Sequence, residues 1–168
     1  MQKIYLSVDC PNLLAIGDFN NDDLLDVVIT DSCNESANVF LRHDNGSFTK
    51  KIIVLIGFSP KFMTIDDVNS DSHLDMIAIG NNQRTINILF GYGNGSFSNH
   101  VSSPISSNFD LVYLRDFNND GRLDILVVSS YQDSASALLG YGNGSFTKEI
   151  PFFIGSHQSL IAIGDYNN

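Results

Sequence analysis

One spacing governs this chain. Aspartates that open an Asp-rich loop stand at positions 18, 67, 116 and 165, each 49 residues after the last. An Asn-Gly-Ser-Phe tetrapeptide keeps the same step, beginning at Asn45, Asn94 and Asn143. Two different motifs locked to one period define a repeat architecture, and a repeat decides the fold before local propensity does.

Within each period, short β-branched and aromatic runs are separated by Gly, Asn, Asp and Ser, which is the signature of short strands and tight turns. Strands are expected at 12–17, 25–30, 38–42 and 51–57 in the first unit. The second unit places them at 62–66, 74–80, 85–91 and 98–105, and the third at 111–115, 123–129, 136–142 and 147–154. A run at 160–164 opens a fourth unit. No window of helical length carries a 3.6-residue apolar period. Four antiparallel strands per ~40 to 50 residues is the plan of a β-propeller blade.

The expected fold is therefore all-β, a partial β-propeller of three four-stranded antiparallel blades with strands of incomplete blades at either side. Residues 1–9 read as the last strand of a preceding blade, 10–58, 59–107 and 108–156 as three blades, and 157–168 as the start of a truncated fourth. Both ends read as cuts through a larger array. The second strand of each unit is apolar on both faces, as a strand between neighbouring blades must be. Position 2 of each loop (Phe19, Val68, Phe117, Tyr166) is expected to pack between blades, and the Phe closing each tetrapeptide (Phe48, Phe97, Phe146) to anchor the core.

The loop itself points to a hard cation. Asp116, Asn118, Asp120 and Asp124 put oxygen side chains at positions 1, 3, 5 and 9, with Gly121 at position 6 to permit a tight curl. Asp67, Asn69, Asp71 and Asp75 repeat the pattern, as do Asp18, Asn20, Asp22 and Asp26, although Ser72 and Asp23 stand where the third loop has glycine. A backbone carbonyl is expected from position 7, which is Leu24, His73 or Arg122. An EF-hand would need Glu at position 12, where this chain has Ile29, Ala78 and Val127. No loop offers a recurring His or Cys, so Ca²⁺ at about three sites fits better than a transition metal. Asx turns that merely cap hairpins are the simpler alternative. The fourth copy, 165–168, is incomplete.

Charge supports the same reading. The formal net charge is −10, and nine of the 19 acidic residues are the loop aspartates at positions 1, 5 and 9. Three bound Ca²⁺ would bring the total to about −4. Such acidity disfavours nucleic acid, whose phosphates require Lys and Arg. No run approaches the ~18 to 20 apolar residues of a membrane span, and the first nine residues do not form a secretory signal.

On these residues the chain resembles the FG-GAP and VCBS-type repeats, best known from the β-propeller of integrin α chains. The resemblance rests on the Asp-x-Asn-x-Asp-Gly-x-x-Asp loop with its Ile125, Leu126, Val127, Val128 run, and on Phe90, Gly91, Tyr92, Gly93 ahead of Asn94. It covers nearly the whole chain. It implies Ca²⁺ in the loops and a role outside the cell or at its surface, in adhesion or in binding a protein or carbohydrate ligand. No Gly-Ala-Pro follows the Phe-Gly, so the repeat is closer to the VCBS variety, and the integrin ligand surface does not carry over.

Other features are secondary. Asn34, Asn45, Asn94 and Asn143 begin Asn-x-Ser sequons open to N-glycosylation in a secreted protein, though a hairpin turn alone explains the last three. Cys10 and Cys33 are the only cysteines; if Asp18 pairs across from Asp26, the two come within disulfide reach, and two free thiols are the alternative. The four histidines do not follow the period, and no nucleophile–base arrangement is visible, so no enzymatic activity is expected. The expected function is a calcium-binding extracellular module with structural ions. A non-catalytic propeller segment of an extracellular enzyme, such as a polysaccharide lyase, and a truncated fragment without independent function are the alternatives. Open blade faces make self-association an expected outlet.

Overall fold

The structure is a computed structural model that describes residues 6–48, 52–80, 84–98, 101–105, 109, 111–129 and 133–155. Among these there is no helix. Twelve strands form three four-stranded sheets. The first comprises β1 (Pro11–Gly17), β2 (Asp26–Asp31), β3 (Ser36–Phe40) and β4 (Ile52–Leu55). The second comprises β5 (Pro60–Asp66), β6 (Asp75–Gly80), β7 (Thr85–Leu89) and β8 (Val101–Pro104). The third comprises β9 (Leu111–Arg115), β10 (Asp124–Ser129), β11 (Ser134–Leu138) and β12 (Ile150–Phe153).

In each sheet the strands lie in chain order and every neighbouring pair is antiparallel. Consecutive strands joined by local connections give this meander, the build of a propeller blade. The chain is all-β and repeats at the sheet level.

Burial follows position in the sheet. The inner strand β6 is buried at every residue, and β10 at all but one. The outer strands β8 and β12 are largely exposed. Continuous apolar runs such as Met76, Ile77, Ala78, Ile79 are required where both faces of a strand are covered.

The chain divides into two compact units, one of Met1–Ile105 with Gly142–Ser145 and the other of Ser106–Tyr141 with Phe146–Asn168. The first unit holds the first two sheets, whose facing side chains form one core. Phe19, Val28, Ala37, Val39 and Val54 of the first repeat meet Met76, Ala78 and Leu89 of the second, and Met63, Ile65 and Leu74 pack at the margin. In the second unit Ile125, Val127, Val128, Ala135 and Leu138 are buried.

Register departs from expectation by one residue. Asp26 lies opposite Gly17, Asp75 opposite Asp66 and Asp124 opposite Arg115, so position 9 faces the residue before the loop, not position 1. The register then shifts between Pro11 and Leu14, because proline cannot donate to the ladder. Residues 6–9 belong to no strand; the chain bends at Asp9 and Cys10 before entering β1. The remainder of the strand expected before the first blade (1–5), the strand expected at 160–164 and the fourth loop lie outside the described residues.

Candidate metal centre

All three complete loops have the same internal wiring. The carboxylate at position 1 accepts backbone N–H groups from positions 5 and 6. Asp18 takes those of Asp22 (3.1 Å) and Asp23 (2.7 Å), Asp67 those of Asp71 (3.1 Å) and Ser72 (2.8 Å), Asp116 those of Asp120 (3.1 Å) and Gly121 (2.8 Å). Position 5 then accepts the N–H of position 7: Leu24 donates to Asp22 at 2.9 Å, His73 to Asp71 at 2.8 Å and Arg122 to Asp120 at 3.0 Å. The Asn side chain at position 3 donates to the same Asp in each loop, at 2.8, 2.9 and 3.0 Å.

This curl needs left-handed backbone at two positions. Positions 4 and 6 have positive φ in every loop: Asn21 (57°) and Asp23 (63°), Ser70 (61°) and Ser72 (66°), Asn119 (60°) and Gly121 (81°). Asparagine is among the residues that tolerate this region best, and it fills position 4 in two loops. Glycine at position 6 was legible in the sequence; the requirement at position 4 was not singled out.

Position 9 has a different task. Asp26, Asp75 and Asp124 are fully buried. One oxygen accepts the N–H of position 2 (Phe19, Val68, Phe117) at 2.9, 3.0 and 2.9 Å. The other accepts an N–H from beyond the end of the third strand: Arg42 at 2.7 Å, Gly91 at 2.9 Å and Gly140 at 2.8 Å. Each carboxylate thus clips the loop to the segment that follows the third strand of its own sheet. Arg42, Gly91 and Gly140 were missed by sequence reasoning, although they too follow the 49-residue step.

Electrostatics follow from this burial. Desolvation raises the Asp26 carboxyl above the ordinary carboxylate range against the pull of its two N–H donors, with Asp22 and Asp18 adding repulsion. Burial pushes Asp75 up to about 6, again opposed by the N–H groups of Gly91 and Val68 and reinforced by Asp71 and Asp67. Asp116 is lowered, chiefly by the Gly121 N–H. A nearby cation would favour the charged form of these crowded carboxylates.

Two tests bear on whether an ion fits. The donor set is all oxygen, as hard cations require. In the first loop the Asn20 Oδ1 is buried with no hydrogen-bond partner among the described residues, an orphaned acceptor at one of the expected ligand positions. Asn69 and Asn118 instead accept the N–H groups of Asp71 and Asp120. A carboxylate oxygen that accepts one N–H still has a lone pair for an ion. The residues present therefore fit a bound Ca²⁺. Among the described residues, the one place where three Cys, His, Asp or Glu ligand atoms lie within 4.8 Å of one another is elsewhere, at Cys10, Asp31 and Cys33. There the sulfurs are joined in a disulfide, with Cα atoms 5.5 Å apart, and are not free to ligate. Asp31 is held below the usual range, mainly by the Asn34 side-chain amide.

The sequon asparagines occupy exposed positions. Asn45, Asn94 and Asn143 accept the N–H of Ser47 (2.9 Å), Ser96 (3.0 Å) and Ser145 (3.0 Å), which closes an Asx turn in each. The Asn34 amide is engaged with Asp31 (2.8 Å) and Asp9 (3.2 Å).

Four-stranded meander sheets, each carrying the same aspartate-rich loop between its first two strands, define a β-propeller-like repeat module. The FG-GAP-like repeat family model matches residues 67–127 and again 116–168, together well over half of the sequence, and the chain belongs to that family. No curated protein matches in sequence. Among solved structures, a chain of the Photorhabdus luminescens Tc holotoxin pore is similar in fold, with 17% identity and a TM-score of 0.58. That likeness covers 83% of this chain and 7% of the toxin chain.

Proposed function

We propose that this chain is a calcium-binding propeller-type module of the cell exterior, in which structural ions hold the loops and the blades present a surface to a protein or carbohydrate ligand. The observation that carries the ion is the buried, unpartnered Asn20 Oδ1 within an all-oxygen loop. Asp18, Asn20 and Asp22 would hold the ion in the first loop with the Leu24 carbonyl; Asp67, Asn69, Asp71 and His73 in the second; Asp116, Asn118, Asp120 and Arg122 in the third. Asp26, Asp75 and Asp124 brace each site from beneath and offer it their remaining lone pairs. The ion would offset the repulsion between clustered carboxylates, so its role is structural and the module is not an enzyme.

The disulfide supports an oxidising compartment. The Asn45 turn is the sequon best placed for a glycan, since a Cβ added at Gly46 would meet nothing within 4 Å. The fold-likeness to a small part of a much longer toxin chain favours a module carried within a larger protein.

Calorimetric Ca²⁺ titration, with thermal melts in Ca²⁺ and in chelator, tests the reading. About three ions should bind, and each saturated site should stabilise by about 2.7 kcal/mol at a hundred times its Kd. A folded chain that takes up no Ca²⁺ would reduce the loops to Asx turns.

A further inference from the structure

The two motifs that share the 49-residue period touch each other across repeats. In the second repeat the turn glycine Gly95 donates its N–H to the carbonyl of Phe19, position 2 of the preceding repeat's loop, at 2.8 Å. One repeat on, Gly144 donates to Val68, again position 2 of the preceding loop, at 3.2 Å. In the first repeat the same turn has no such neighbour among the described residues. There the Gly46 N–H closes back on His43 of its own turn at 2.8 Å. An added Cβ at Gly46 would meet nothing, whereas at Gly95 it would meet Leu41 at 2.9 Å, and at Gly144 it would run into the Phe90 ring.

The contact reaches the loop's working residues. Phe19 and Val68, whose carbonyls are gripped, are 3% and 4% exposed, and their own N–H groups donate to Asp26 and Asp75. Phe97, which closes the second turn, stacks edge-on against Phe19 with ring centroids 6.0 Å apart. A further link joins the first two loops directly, where the Asn21 amide nitrogen lies 3.1 Å from His73 Nδ1.

We infer that the Asn-Gly-Ser turn of each repeat is the positioning element for the cation loop of the repeat before it. Phe19 and Val68 are each held through both flanking peptide groups, the N–H by the buried aspartate and the C=O from across the repeat boundary by the turn. The left-handed curl that aims positions 1, 3 and 5 starts from that fixed residue. Loops one and two have this support. The turn that would serve Phe117 falls 76 residues on, outside this sequence. The inference deepens the calcium reading, but its first test does not need an ion.

The test is Gly95→Ala compared with Gly46→Ala. Both place a Cβ on a turn glycine of nearly equal φ, 82° and 78°, so both carry the same backbone strain. In chelator, amide hydrogen exchange at Asp22 and Asp23, whose N–H groups bond Asp18, should quicken at least about fivefold in G95A and stay unchanged in G46A, the loss expected for one hydrogen bond. The corresponding amides of the third loop, Asp120 and Gly121, should not move. In the second arm, Ca²⁺ titration followed by amide shifts should show the first site weakened by a similar factor in G95A alone. Should G95A fail to fold, Gly144→Ala poses the same question of Asp71 and Ser72 in the second loop. Equal effects of G46A and G95A on the first loop, or no effect of G95A and G144A on either loop, would overturn the inference. Faster exchange without any Ca²⁺ uptake would uphold the positioning role and sink the calcium reading separately.

Discussion

At loop position 6, glycine matters for its backbone alone. Gly121 sits at φ 81°, and a Cβ added there would meet nothing within 4 Å, so a substitution reads conformational strain without a clash. Ser72 holds the same place at φ 66°. A left-handed L-residue costs roughly 1–2 kcal/mol, and the extra freedom of unfolded glycine returns roughly 0.4–1 of it. Ser72→Gly is therefore expected to stabilise by about 0.5–1 kcal/mol and Gly121→Ser to destabilise by a similar amount, read as opposite shifts of the urea midpoint at constant slope. The positions of the loop residues were legible because oxygen donors at alternate sites have a mechanism. The division of labour among them was not. Nothing in the residue type tells Asp75, buried with both oxygens on backbone N–H groups, from Asp71, which lies exposed; only the register of the sheet decides it.

At the scale of elements, the sequence yields strand number and order, because β-branched runs and Gly/Asn turns are local signals. It is weaker on register. Placing Asp18 opposite Asp26 misses by one residue, since the loop folds back through its own Asx turns before β2 begins. The consequence for the cysteines is small, because Cys10 lies beyond the register shift at Pro11, where its carbonyl accepts the Ser32 N–H at 2.9 Å. The Cys10–Cys33 bridge closes a span of 23 residues at the end of β1 and β2 away from the Asp-rich loop. Cross-linking a loop of that length stabilises by roughly 3 kcal/mol, chiefly by restricting the unfolded chain. Replacing both cysteines with serine should lower stability by about 2–4 kcal/mol, and reductant should lower the melting temperature of the wild-type chain but not of the double variant. The Ca²⁺ stoichiometry should survive in the folded variant, because the bridge and the loops occupy opposite ends of the strand pair.

For the whole molecule we propose that the repeat itself provides the cover for its exposed faces. Met63 and Ile65 on β5 pack against the core between the first two sheets. Their counterparts one period earlier, Leu14 and Ile16 on β1, are 60% and 57% exposed. On the facing side of that core, Val39 and Val54 are buried, while the residues two periods later, Ala137 and Phe152, are half-buried and 45% exposed. The two uncovered faces are thus the repeat equivalents of two faces that already fit each other in the first unit. A second copy that brought one of these faces against the other would bury both, a heterologous contact. Light scattering at rising concentration should therefore show association of the isolated chain. Leu14→Glu with Ile16→Glu, or Phe152→Glu alone, should each return it to the monomer, because a charge on either face opposes burial of both. A wild-type chain that stays monomeric at high concentration and binds no apolar dye would show that these faces are covered from within the chain itself.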